Sequence, residues 1–165
     1  MRILGIDPGY GITGFGLIES NRGSSQLIKC GVITTPPGSD FSARLEMIYE
    51  DMRTLLETAK PDAVAIEELF FGQNVTTGIG VAQSRGVILL AIRQAGLDVF
   101  SYKPMQVKQA VVGYGKASKH QVQDMTKRLL SLSTLPKPDD AADAIAIALC
   151  HARSSTSLLA QLQQR

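Results

Sequence analysis

Arg2-Ile3-Leu4-Gly5-Ile6-Asp7, continuing through Pro8-Gly9-Tyr10-Gly11-Ile12-Thr13-Gly14 into Phe15-Gly16-Leu17-Ile18-Glu19, opens the chain and decides its fold. Residues 2–6 read as a short buried strand that ends at Asp7, because Pro8-Gly9 cannot continue a hydrogen-bonded ladder. The glycines match G-x-G-x-x-G after a strand, the fingerprint of a dinucleotide-binding turn. That fingerprint requires a helix to start at the glycines and an acid about 20 positions beyond them. The residues after Gly14 instead show a strand pattern, with Phe15 and Leu17 on one face, and the third strand ends in Thr34 and Thr35. The glycines therefore read as a tight hairpin that lets a large ligand approach the backbone.

Working outward, the second strand runs from about Ile12 to Glu19, the cluster from Ser20 to Ser25 turns the chain, and Leu27 to Thr35 completes an antiparallel meander. Pro36-Pro37-Gly38 stops it. The period then changes from 2 to 3.6: Phe41, Leu45, Ile48, Met52, Leu55 and Ala59 form one apolar stripe, with Ser39 or Asp40 as N-cap and Lys60-Pro61 as terminus. Ala63 to Ile66 is a fourth strand, reached through a helical crossover and so expected to lie parallel to the first. Phe70 to Gly78 reads as a polar loop, leading into a helix that is apolar almost all round from Val87 to Ala91 and closes at Gly96. Leu97 to Tyr102 is a fifth strand. A short helix near Met105 to Val112, a helix opened by Ser118 with Gln121 three on, and a final helix from about Asp140 to Arg153 complete the pattern.

This order predicts an α/β protein of ribonuclease H-like fold: a five-stranded mixed sheet, three strands in a meander plus two parallel strands, flanked by helices. Residues 1–153 form a single domain and 154–165 a polar tail. The 165 residues, 44% hydrophobic and 19% charged, have the composition of a globular protein, and unbroken apolar runs such as Val87 to Ile92 are far short of the ~20 residues of a membrane helix. The opening residues lack the pattern of a signal peptide, and Cys30 and Cys150 are at no metal-ligand spacing, so a reduced, cytoplasmic setting is expected and two inert thiols with it.

Four acids carry the chemistry. Asp7 ends the first strand with Gly5 two residues before it, and Glu67 ends the fourth with Ala65 two before it. If those strands are parallel neighbours, alternation puts both carboxylates on one face at one edge of the sheet, and the small residues behind them leave room for a helix. Asp140 and Asp143 lie one turn apart in Asp140-Ala141-Ala142-Asp143-Ala144-Ile145, a helix too apolar to be exposed. Asp140 has an alternative role as an N-cap; Asp143 has none. Two unit charges ~4 Å apart repel by about 4 kcal/mol at an effective dielectric of 20, so converging carboxylates are either partly protonated or hold divalent metal. Oxygen ligands without nearby His or Cys favour Mg²⁺ or Mn²⁺.

With these residues in place the sequence resembles the RuvC family of bacterial Holliday junction resolvases. The resemblance runs from Ile3 to about His151 through Gly5-Ile6-Asp7-Pro8-Gly9, Ala65-Ile66-Glu67 with Phe70, Gln106-Val107-Lys108-Gln109 with Val112-Gly113, and Asp140-Ala141-Ala142-Asp143-Ala144. It implies a homodimer that cuts opposed strands of a four-way DNA junction symmetrically, leaving 5′-phosphate and 3′-hydroxyl ends, and that works with the RuvA and RuvB branch-migration machinery. It implies that Asp7, Glu67, Asp140 and Asp143 hold two Mg²⁺ per subunit, which Mn²⁺ could replace. It also implies that Lys108 and Lys119 neutralise phosphate charge and that Phe70 stacks on an unpaired base, whereas Phe71 could be core. Some relatives carry a histidine where this chain has Asp143.

The net charge of +2 is too mild to announce nucleic acid, but between Lys103 and Lys137 seven basic residues are opposed only by Asp124. Lys116 belongs to that stretch and is a further candidate for DNA contact. Arg85, in Gln83-Ser84-Arg85-Gly86, fits the family pattern and is placed with the DNA-binding residues. The apolar helix beginning there is either buried or the self-complementary surface of a dimer. His120 and His151 read as bystanders. A nucleotide-binding fragment of the actin and sugar-kinase type shares the strand-Asp-glycine opening, but needs a second domain for which the chain has no length.

Overall fold

A computed structural model describes residues 1–21, 23–69 and 75–155, with the side chains of 75–77 left aside. The elements in chain order are β1 (Arg2–Asp7), β2 (Ile12–Asn21), β3 (Ser24–Thr34), α1 (Phe41–Ala59), β4 (Ala63–Glu67), α2 (Val75–Gln94), β5 (Val99–Tyr102), α3 (Pro104–Val112), α4 (Lys119–Leu129) and α5 (Asp139–Ser155). The sheet order is β3-β2-β1-β4-β5. β1 pairs antiparallel with β2 and parallel with β4, β2 pairs antiparallel with β3, and β4 pairs parallel with β5. This is the expected mixed sheet: the meander occupies one side and the helical crossovers deliver β4 and β5 to the other.

Alternation along the strands sorts the core into two layers. Leu4, Ile6, Phe15, Leu17, Val64 and Ile66 face α1 and α2, where they meet Ile48, Met52, Ile88 and Ile92. Ile3, Ile18 and Ala65 face the other side, where α5 lies against the sheet with α3 and α4 outside it. That second layer is unusually close. A Cβ on Gly5 would stand 2.0 Å from the Ala144 carbonyl, one on Gly14 2.0 Å from the Asp140 carbonyl, and one on Gly16 2.6 Å from Ile145 Cγ1. The glycines of β1 and β2 thus admit the protein's own helix. Their spacing in the sequence suggests room for a ligand, but at Gly14 and Gly16 that room is already filled by α5.

Local signals placed most helix ends. Asp40, not Ser39, caps α1, its carboxylate accepting from the backbone N–H of Ser42 and Ala43 at 3.0 and 3.3 Å. Ser118 and Gln121 form the expected capping box on α4. Asp139 starts α5, so Asp140 sits inside its first turn and is not a cap. α2 begins at Val75, within the expected loop. A Cβ on its Gly80 would stand 3.0 Å from the Tyr10 ring, so packing against the β1–β2 turn accompanies the extension. Phe70 and Phe71 lie outside the described residues. No helix among the described residues is long and apolar enough to cross a membrane.

Cys150 is buried, its thiol pushed up to about 11 by desolvation, and Cys30 is half-buried and also raised, so neither is primed as a thiolate. His151 is buried, and its Nδ1 shares a 2.7 Å hydrogen bond with the Tyr102 hydroxyl.

Candidate active site

The parallel register of β1 and β4 pairs Gly5 with Ala65 and Ile6 with Ile66, so Asp7 and Glu67 emerge side by side, one residue past the last paired rung, on the α5 face. Both line an open cleft of about 260 Å³ together with Asp143, Lys108, Lys119, Pro104 and Val122. The glycines beneath α5 bring the helix down onto this end of the sheet, and the first two turns of α5 supply Asp140 and Asp143.

The electrostatics show how tightly the acids are gathered. The Asp7 carboxyl is pushed up from 3.8 to about 7, first by burial and then by the negative charges of Glu67, Asp143 and Asp140, with Lys119 opposing. Glu67 is raised by burial and by Asp143, and lowered by Lys108. The charges of the other three acids singled out in the sequence therefore all reach Asp7, and that of Asp143 also reaches Glu67. Asp140 contributes to the field at Asp7 but is not among the residues lining the cleft.

Lys119 supplies the countercharge. Its Nζ stands 3.0 Å from Asp143 Oδ2 and 3.2 Å from Asp139 Oδ2. These bonds raise its own proton affinity, Asp143 foremost. Asp139 carries no distinguishing mark in the sequence, since nothing in the run Pro138-Asp139-Asp140 says which acid faces which partner. Among the described residues no three potential ligands already enclose a cation-sized space. The donor set is nevertheless that of a hard divalent ion: carboxylate oxygens with neither His nor Cys in the cleft, and a half-buried acid whose charge is held back by like neighbours.

The other candidates separate. Lys108 lines the cleft on the Glu67 side. Lys116 is exposed in the loop between α3 and α4, outside the residues that line it. Arg85 turns inward: its Nε donates to the Glu67 carbonyl at 3.1 Å and its Nη2 to Ser101 Oγ at 2.9 Å. Ser84, for which the sequence holds no signal, is wholly buried and donates to the Gly9 carbonyl at 2.9 Å. A roomier depression, about 530 Å³, lies between the C-terminal ends of α1 and α2; its one lining carboxylate, Glu57, is 3.5 Å from Arg53 and so is not a bare ligand.

The sequence of residues 3–151 matches the profile of the family described as crossover junction endodeoxyribonuclease RuvC. Crossover junction endodeoxyribonuclease RuvC of Chloroflexus aurantiacus is 52% identical over 158 residues, covering 96% of each chain. Its counterpart in Syntrophomonas wolfei is 54% identical over 154 residues, 93% of this chain and 90% of that one. Among solved structures, T. thermophilus RuvC in complex with Holliday junction substrate superposes with a TM-score of 0.89 at 36% identity, covering 94% of both chains. The yeast mitochondrial Holliday junction resolvase Ydc2 shares the fold, with a TM-score of 0.72 at 18% identity over 99% of this chain and 80% of the other.

Proposed function

The chain belongs to the RuvC family, and from that premise we propose that it is a structure-selective endonuclease that resolves four-way (Holliday) DNA junctions in recombination and repair. The observation that carries this is the acid cluster: Asp7 and Glu67 at adjacent parallel strand ends, with Asp140 and Asp143 brought over them by α5. Residues 1–153 form the single nuclease domain, acting in the cytoplasm where the DNA is.

Asp7, Glu67, Asp140 and Asp143 would hold two Mg²⁺, or Mn²⁺ in its place. When bound, divalent metal supplies a water of lowered pKa as nucleophile and neutralises charge on the scissile phosphate and the leaving 3′ oxygen. The chain's own part is to orient. Burial of Asp7 and its like-charged neighbours disfavours the bare carboxylates, so the cluster is poised to accept divalent cation in place of protons. Lys108 and Lys119 flank the acids at the cleft wall, where each can pair with a phosphate oxygen and hold the backbone in register. Lys116, exposed on the adjoining loop, extends that basic wall. Phe70, on the segment directly after β4, would stack on an unpaired base. The products are 5′-phosphate and 3′-hydroxyl ends.

Symmetric cutting needs two such sites, hence a homodimer. α2 offers a face for it: Ile79 and Leu90, 52% and 53% exposed, lie three turns apart on one stripe with Gln83 and Gly86 between them. Docking to a RuvA and RuvB complex is a further part of the proposal, carried by family membership.

The test is to incubate the protein with a synthetic four-way junction and a matched linear duplex, with and without Mg²⁺. Paired nicks at opposed positions, confined to the junction and to the metal-containing reaction, are expected. Cleavage that survives Asp7→Asn, or that ignores the branch point, would overturn the reading.

A further inference from the structure

We propose that Ser84 and Arg85 of α2 are positioning residues that set the spacing of Asp7 and Glu67 and thereby the ability of these acids to share divalent metal, an inference that rests on the proposed nuclease reading. Neighbouring residues of one helix reach the two strand ends from the face opposite α5. Ser84 Oγ donates to the Gly9 carbonyl at 2.9 Å, two residues beyond Asp7. That carbonyl also accepts from Thr13 Oγ1 at 2.6 Å. The turn it belongs to is compact, since a Cβ on Gly9 would stand 2.1 Å from the Ile12 carbonyl. Arg85 Nε donates to the Glu67 carbonyl at 3.1 Å, and its Nη2 to Ser101 Oγ at 2.9 Å, which ties the end of β4 to β5. On the β5 side the Glu68 N–H donates to the Tyr102 carbonyl at 2.8 Å.

The clamp acts where the β1–β4 ladder ends. Between β1 and β4 the last paired residues are Ile6 and Ile66, so Asp7 and Glu67 are not paired with each other, although Asp7 still pairs with Gly14 and Glu67 with Tyr102 on their outer sides. Strands are ~4.8 Å apart, and two carboxylates at that separation push the ends of β1 and β4 away from each other. The backbone of one helix turn holds Ser84 and Arg85 at a fixed separation, so bonds from both resist that splaying. Arg85 makes its two bonds with a planar fork that an ammonium cannot reproduce.

Arg85→Lys keeps the positive charge and removes the fork, so it separates a clamp from a phosphate contact. In the full chain, we expect Arg85→Lys to raise the Mn²⁺ dissociation constant of DNA-free protein by tenfold or more, read from the electron paramagnetic resonance signal of free Mn²⁺. The Mg²⁺ midpoint for junction cutting should rise in parallel, with most of the rate recovered at saturating metal. Metal-free junction affinity, by fluorescence anisotropy, should stay within about twofold of the parent. Ser84→Ala should move the Mn²⁺ constant in the same direction. Ser101→Ala, at an exposed position, removes one of Arg85's anchors and should give a smaller shift; it keeps the test open if Arg85→Lys does not fold. Weakened junction binding with unchanged Mn²⁺ affinity, or lowered thermal stability with unchanged Mn²⁺ affinity, would overturn the clamp. A parent protein that binds Mn²⁺ but does not cut junctions would overturn the nuclease reading, and the clamp would still be judged on the Mn²⁺ constants.

Discussion

Lys119 Nζ stands 3.0 Å from Asp143 Oδ2, an ammonium from α4 seated on an acid of α5 at the mouth of the cleft. The same ammonium reaches Asp139 at 3.2 Å. A divalent cation held by Asp143 would claim the oxygen that Lys119 occupies, so cation and lysine would compete for it, and Lys119 would then be free to meet phosphate.

Lys119→Met should therefore have opposite effects on two measurements. Mg²⁺ or Mn²⁺ affinity without DNA should rise several-fold by titration calorimetry, because Asp143 loses its competitor. Junction cutting at saturating metal should fall by ten- to a hundredfold, because a charge facing the phosphate is gone. A drop in metal affinity would show that the lysine supports the site instead of competing for it.

Asp7→Asn should abolish cutting and yet stabilise the metal-free protein. The folded-state pKa of Asp7 is raised from 3.8 to about 7. The folded protein therefore binds the proton more tightly than the unfolded one, and the associated stability is fully present below 3.8 and is lost as pH rises through about 7. At ~1.4 kcal/mol per pH unit the whole effect is at most about 4 kcal/mol. Thermal unfolding of variant and parent should nearly coincide at the acidic end of that window, diverge in the variant's favour toward pH 8, and reconverge when Mg²⁺ is added to the parent. Junction binding should survive or tighten, since a negative charge facing phosphate is removed.

Gly5→Ala tests the seat of α5. The added Cβ would stand 2.0 Å from the Ala144 carbonyl and 2.7 Å from the Ala148 nitrogen, both backbone atoms, so the helix itself must move. Over-packing of this kind costs ~1–3 kcal/mol or more. Urea unfolding should show a lower midpoint at unchanged slope, and cutting should fall further than stability explains because Asp140 and Asp143 move with the helix.

Leu90→Glu tests the α2 face. Leu90 is half exposed in the single chain, so the substitution should leave the unfolding midpoint of the subunit nearly unchanged. Sedimentation velocity should show the parent as a dimer and the variant shifted toward monomer. Paired cutting should give way to single, uncoordinated nicks.

Three of the four candidate acids carry a local mark in the sequence. Asp7 and Glu67 each come two positions after a small residue, a strand's period-2 signature for a face that another element approaches closely, and Gly5 and Ala65 do pair in the sheet with α5 against them. Asp143 stands out as an acid in a helix otherwise built to be buried. The start of α2 was not legible, since helix formation from Val75 accompanies a contact between Gly80 and Tyr10, 70 positions away in the chain. Nor was the direction of Arg85: the family pattern in Gln83-Ser84-Arg85-Gly86 suggests DNA, whereas the carbonyl it bonds belongs to a strand residue 18 positions earlier.

By itself the sequence determined the order of strands and helices, the parallel delivery of β4 beside β1, and the placement of Asp7 and Glu67 on one face of the sheet. These rest on periodicities of 2 and 3.6 and on the residues that stop each element, all of them properties of a few neighbouring residues. The tertiary structure decided that the hairpin glycines seat α5, that Lys119 rests on Asp143 and Asp139, and that Ser84 and Arg85 hold the strand ends. Each of those depends on distances between segments far apart in the chain, which are set only when both sides of the sheet are packed.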